Sequence, residues 1–206
     1  MSMAHIAFEK EAEGIYRLKV PFEKIYTSVF LVIAENGMAL VDTATTAYDV
    51  DNVIVPAIED LGYTIKDIQY IVLTHRHYDH DGGLPRLLEL SPTLQVVENV
   101  GALLEGVCTY QMDGHDAHCI GVFCAASKTL IAGDGLQGNG LDDYPCNVPY
   151  KEAYLETIER IRQDESIATV LFSHSYRPWH QNAICGRDHV LQCLDICLYY
   201  LEGEKE

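Results

Sequence analysis

Three of the nine histidines of this 206-residue chain fall within six residues, in Thr74-His75-Arg76-His77-Tyr78-Asp79-His80-Asp81-Gly82-Gly83. Neutral imidazole nitrogens beside carboxylate oxygens are the donors that a borderline-soft, hydrolytic ion such as zinc prefers. The stretch follows the apolar, strand-like run Tyr70-Ile71-Val72-Leu73, and continued strand geometry places His75 and His77 on one face. A turn at Gly82-Gly83, ahead of the helix-opening Leu84-Pro85, swings Asp79 and His80 toward a second point. One hexapeptide thus predicts two adjacent ligand pockets, which need further ligands from elsewhere in the chain. His115, Asp134 and His174 are the candidates, because each stands next to a strand-like run, where loops expose side chains. The plain alternative for the hexapeptide is a polar turn after a buried strand. For Asp134, which precedes Gly135, it is an ordinary turn pairing.

The elements that must position these residues can be read from the apolar pattern. Strand-like runs occupy residues 15–20, 29–35, 38–43, 70–74, 94–98, 119–125, 129–132 and 168–173. Helical periodicity covers 48–61, closing on Gly62 with a kink expected at Pro56. A second helix opens at Pro149 and runs to about residue 163, and a last one covers about 187–201. Strands interrupted by helices predict a sheet-rich core with helices packed outside it. The glycines between 133 and 140 form a loop and not a phosphate cradle, because neither a Lys-Ser/Thr pair nor a helix follows directly.

Composition narrows the function further. With no composition break, the length predicts a single domain over 1–206. A core of that size needs no metal staple, so a bound ion is expected to work chemically. Fourteen Lys plus Arg against 31 Asp plus Glu give a net charge of −17, the wrong sign for neutralising phosphates along a nucleic acid. No apolar run is long enough to span a bilayer, and Glu9, Glu11 and Glu13 stand where a signal peptide needs an apolar stretch. A cytoplasmic protein without nucleic-acid or membrane partners is the expectation. The seven cysteines are an odd number without a C-x-x-C pair and read as buried thiols in a reducing compartment.

The ordered series His75-x-His77-x-Asp79-His80, then His115, Asp134 and His174, with Asp42 upstream in Leu40-Val41-Asp42-Thr43, resembles the metallo-β-lactamase superfamily of metallohydrolases. The resemblance implies an α/β fold, a four-layer αββα sandwich, with a dinuclear site at one edge of the paired sheets. It implies that His75, His77 and His115 hold one divalent ion and that Asp79, His80 and His174 hold the other. Asp134 would bridge them, and Asp42 would orient a ligand. Asp79 and Asp134 are then the catalytic carboxylates. Tyr176 and Arg177, beside His174, are candidate substrate contacts, whereas Arg76, between two ligands, is expected to point away from the metals. The chain departs from the family pattern at Asp116, where threonine is common, and at Ala117-His118-Cys119. The 35 residues from His80 to His115 are few, and the 32 after His174 leave no room for the C-terminal helical region of hydroxyacylglutathione hydrolases.

The expected function is hydrolysis of an ester-like bond in a small molecule, such as a lactone or thioester. The cofactor would be two divalent ions, zinc first and iron or manganese next, activating a water as nucleophile. A phosphodiesterase on the same ions, or a mononuclear iron oxygenase of sulfur compounds, are the competing enzyme readings. A closed metal-binding interaction module is the non-enzyme one. Oligomeric state has no signature in the sequence.

Overall fold

The computed structural model describes residues 6–22, 25–136, 148–174 and 182–203. The chain divides into two compact units, residues 1–98 and 99–206, each built on one six-stranded mixed sheet.

In the first unit the strands are β1 (Glu9–Ala12), β2 (Ile15–Phe22), β3 (Ile25–Ala34), β4 (Gly37–Val41), β5 (Tyr70–Val72) and β6 (Gln95–Val97), and they lie in that order across the sheet. The first four are antiparallel hairpins, while β4, β5 and β6 run parallel. Leu18, Val20, Val29, Leu31, Leu40 and Ile71 share one face. They pack with Val50, Ile54, Ala57, Ile58, Leu84 and Leu87 of the helical segments. Those segments are α1 (Ala47–Asp49), a π-turn at Val50–Ile54, α2 (Val55–Asp60), α3 (Tyr78–Asp81) and α4 (Leu84–Leu90). The opposite face, with Ile15, Phe30, Val32, Ala39, Val41 and Val72, is buried as well, which is why these strands read as continuous apolar runs instead of alternating ones.

The helix expected over 48–61 is present as one continuous helical stretch over 47–60, and the kink expected at Pro56 takes the form of the π-turn before it. Proline brings no N–H to the carbonyl four residues back, and its ring crowds that carbonyl. The chain widens just before it, with the Val55 N–H donating five residues back to the Val50 carbonyl.

The second unit contains β7 (Ala102–Leu104), β8 (Val107–Gln111), β9 (Ile120–Cys124), β10 (Thr129–Gly133), β11 (Thr169–Phe172) and β12 (Ala183–Cys185), in the spatial order β12-β11-β10-β9-β8-β7. Only β10 and β11 are parallel among these pairs. One face carries α5 (Lys151–Gln163) and α6 (Arg187–Gly203). Tyr154, Thr157, Ile158 and Ile161 of α5, and Val190, Cys193, Leu194 and Cys197 of α6, are buried. Each quartet follows the i, i+3, i+4, i+7 spacing of a single helical face. Among the described residues, no helix is long and apolar enough to cross a membrane.

Candidate functional site

In the first unit the donors hang on the loop after β5. The strand stops at Val72, so His75 and His77 are not on a pleated strand as the alternation predicted. An extended loop brings His75 Nε2 to 2.9 Å from His77 Nδ1 instead. The turn at Asp79 and His80 is the short helix α3, with His77 as its N-cap. It is tied down by Thr43, whose N and Oγ1 both donate to the His80 carbonyl at 2.7 and 2.8 Å, and by Thr27 Oγ1, which donates to the Asp79 carbonyl at 3.1 Å. Gly82 and Gly83 let this turn lie against the backbone after β4, since a Cβ at either would collide with the Thr45 or Thr43 carbonyl. Arg76 turns outward, as expected, and forms a two-pronged pair with Glu98 at 2.6 and 2.7 Å.

Behind these donors sits Asp42, fully buried at the end of β4 with φ +63°, a left-handed conformation that aspartate tolerates better than most residues. Its Oδ1 accepts from Thr74 N at 2.8 Å, and Oδ2 accepts from Thr74 Oγ1 at 2.8 Å and from His80 Nδ1 at 2.7 Å. The proton on His80 therefore lies on Nδ1, and Nε2, 3.4 Å from Asp79 Oδ2, keeps its lone pair. Thr74 spends its hydroxyl proton on Asp42, leaving a lone pair for His75 Nδ1 at 3.2 Å, which places the His75 lone pair on Nε2, facing His77 Nδ1. The sequence reading missed Thr74, Thr43 and Thr27. Only Thr74 had a signal available, its place directly before His75.

In the second unit, β8 and β10 each pair antiparallel with β9, so they run the same way, as does β11, parallel to β10. His115 follows β8, Asp134 follows β10 and His174 follows β11, so all three leave the same end of the sheet. His115 Nε2 lies 3.6 Å from Asp134 Oδ2, and His174 Nε2 lies 3.4 Å from Asp134 Oδ1. Each carboxylate oxygen thus faces a different imidazole, which is the layout of a bridging carboxylate.

These separations test whether the residues fit a metal. Tetrahedral zinc with ligand distances of about 2.0–2.1 Å holds its donor atoms about 3.3 Å apart. The three imidazole–carboxylate gaps, at 3.4, 3.6 and 3.4 Å, are too long for good hydrogen bonds and suit two donors sharing one ion. All the donors except His77 are buried. Cys119, near His115, is kept as a thiol by burial, which pushes its pKa up to about 12. Tyr176 and Arg177 lie outside the described residues.

Residues 24–104 match the family model described as the metallo-beta-lactamase superfamily, and the solved structures carrying that name share the fold across the chain. Residues 24–104 thus carry the likeness to the metallo-β-lactamase superfamily, and the chain shares the fold of those structures. A metallo-beta-lactamase from Erythrobacter litoralis superposes with a TM-score of 0.69 over 97% of the chain and 99% of that one, at 19% identity. The rubredoxin oxygen:oxidoreductase of Desulfovibrio gigas matches with a TM-score of 0.70 over 95% of the chain and 61% of that one, also at 19% identity. A lactamase-like protein, aptB, of Emericella nidulans is 29% identical over 133 residues, which are 55% of this chain and 41% of that protein. Metallo-β-lactamase superfamily proteins are generally metal-dependent hydrolases, and the donor chemistry of this chain agrees with that class.

Proposed function

We propose that the donors of the two units form one dinuclear zinc centre, and that the protein hydrolyses an ester-like bond of a small molecule. In this reading His75 Nε2, His77 Nδ1 and His115 Nε2 hold the first ion. Asp79 Oδ2, His80 Nε2 and His174 Nε2 hold the second, and Asp134 lends one oxygen to each. The observation that carries it is Asp134, whose two oxygens face two different imidazoles at near ligand–ligand distance.

When bound, such ions supply Lewis acidity and lower the pKa of water toward about 7. The chain's own contribution is to aim lone pairs. Asp42 holds the proton on His80 Nδ1 and Thr74 fixes the tautomer of His75, so both rings present Nε2. Asp79 and Asp134 offset part of the ions' charge and leave a positive site, suited to the single negative charge that develops when a carbonyl is attacked. Tyr176 and Arg177 are proposed to hold the substrate. Arg76 is engaged by Glu98 and Asp81 and adds no positive charge of its own for a phosphodiester. The net charge of −17 favours a small substrate over a nucleic acid, and a cytoplasmic location belongs to the same proposal.

Elemental analysis of metal-replete protein tests the reading. About two zinc ions per chain are expected, with Asp134→Ala losing an ion and at least a hundredfold in kcat. One iron per chain would instead favour the mononuclear iron oxygenase of sulfur compounds, and no metal would end the proposal. On a zinc-loaded preparation, lactones or thioesters should exceed bis-aryl phosphodiesters in kcat/KM, and the reverse by tenfold would overturn the substrate class.

A further inference from the structure

The residues around His115, among them Asp116 and Cys119, share one loop, and their geometry gives them a common task. Residues 112–119 form a loop closed by Met112 N donating to the Cys119 carbonyl at 2.9 Å. Inside it, Asp113 Oδ1 accepts from Cys119 N at 3.0 Å and Oδ2 accepts from Gln111 Nε2 at 2.5 Å. The buried Cys119 Sγ accepts from Asp116 N at 3.2 Å. Asp113 and Cys119 therefore brace the loop from the inside, on either side of His115.

Helix α5 supplies the floor. Thr157 Oγ1 donates to the Asp113 carbonyl at 2.9 Å, and Tyr150 N donates to the Gly114 carbonyl at 3.2 Å. Gly114 takes φ +138°, and a Cβ there would lie 2.6 Å from Tyr154 Cβ, so the backbone directly before His115 rests on the helix. His118 is exposed at the outer end of the loop.

We propose that Asp113 and Cys119 are positioning residues for His115, forming a latch that fixes the aim of its Nε2 and so the affinity for the ion it shares. The inference rests on the dinuclear reading above. Asp116 turns its side chain to the neighbouring Ala117 amide at 2.6 Å and lends the latch its backbone N–H. Losing an outer partner of a metal ligand typically lowers metal affinity about 10- to 100-fold.

The test titrates zinc into metal-free protein against a chromogenic chelator and records the cobalt(II) absorption bands, with the melting temperature of the metal-free form measured alongside. Cys119→Ala and Asp113→Ala should each weaken one of the two ions at least tenfold, the same ion that His115→Ala loses, and shift the cobalt bands. Cys119→Ser, which keeps an acceptor for the Asp116 amide, should restore binding to within threefold of the wild type. Titrations of Cys119→Ala and Asp113→Ala that match the wild type would overturn the latch. So would an equal loss of both ions that tracks a fall in the metal-free melting temperature. A wild-type protein that binds no zinc would instead overturn the functional reading, and the wild-type control separates the two failures.

Discussion

The hydroxyl of Thr74 has one proton, and where it goes decides the tautomer of His75. A carboxylate only accepts, so the proton goes to Asp42, and the remaining lone pair takes the Nδ1 proton of His75. Thr74→Val keeps the shape and removes both links. It should cost about 1–3 kcal/mol in the metal-free protein, the desolvation penalty of a stranded buried partner, and weaken zinc at least tenfold. Urea midpoints and chelator titrations check the two parts separately, and Thr74→Ser should recover both. Asp42→Asn is expected to act on His80 instead, because an amide N–H set against Nδ1 favours the tautomer that puts the proton on Nε2, where the lone pair is needed.

At the scale of elements, the close approach of α3 to the loop after β4 depends on missing side chains. Gly82→Ala would push a Cβ into the Thr45 carbonyl, and the expected outcome is a loss of about 3 kcal/mol with displacement of His80. Circular dichroism melts and zinc content measured on the same sample would check it, and Gly101→Ala, with open space around it, is the neutral control. Elements dense in apolar residues were legible in the sequence to within a residue or two, as β5, β10 and β11 show. Of the four edge strands, β6 was legible, inside the run 94–98, and β1, β7 and β12 were not. β1 is Glu-Lys-Glu-Ala, and β7 and β12 have three residues each. Charged or very short edges protect a sheet from unwanted pairing and leave almost no periodicity to read. β8, with Thr109 and Gln111 among its apolar positions, escaped for a similar reason. The donors were legible because their types and strand-end places are local facts. The link from Asp42 to His80 joins residues 38 apart and appears only when β4 and β5 lie side by side.

For the molecule as a whole, two buried thiols and the half-buried phenol of Tyr110 in the second unit set an alkaline limit. Burial is the main cause that pushes Cys119, Cys124 and Tyr110 up to about 12 each, from ordinary values near 9 to 10. The folded chain keeps these protons where the unfolded chain has lost them. Their contribution to stability is therefore intact below about pH 9 and drains away as the pH rises toward 12. The urea midpoint of metal-free protein should fall between pH 8 and pH 10.5, and more gently in Cys124→Ala. A midpoint that rose over that interval would contradict the burial of these groups.

The strand directions described above also divide each sheet into two ends with different freedoms. Asp42 and the His75–His80 loop leave the C-terminal ends of β4 and β5, and His115, Asp134 and His174 leave those of β8, β10 and β11. The turns that start these strands, Asn36-Gly37, Glu105-Gly106 and residues 125–128, bear none of the donors. Those turns are the natural doors for engineering, where the chain can be opened for a new terminus or a grafted segment without re-aiming a donor. A Gly-Ser insert at Glu105-Gly106 should leave the zinc content of the protein unchanged, whereas the same insert between His77 and Asp79 should abolish it.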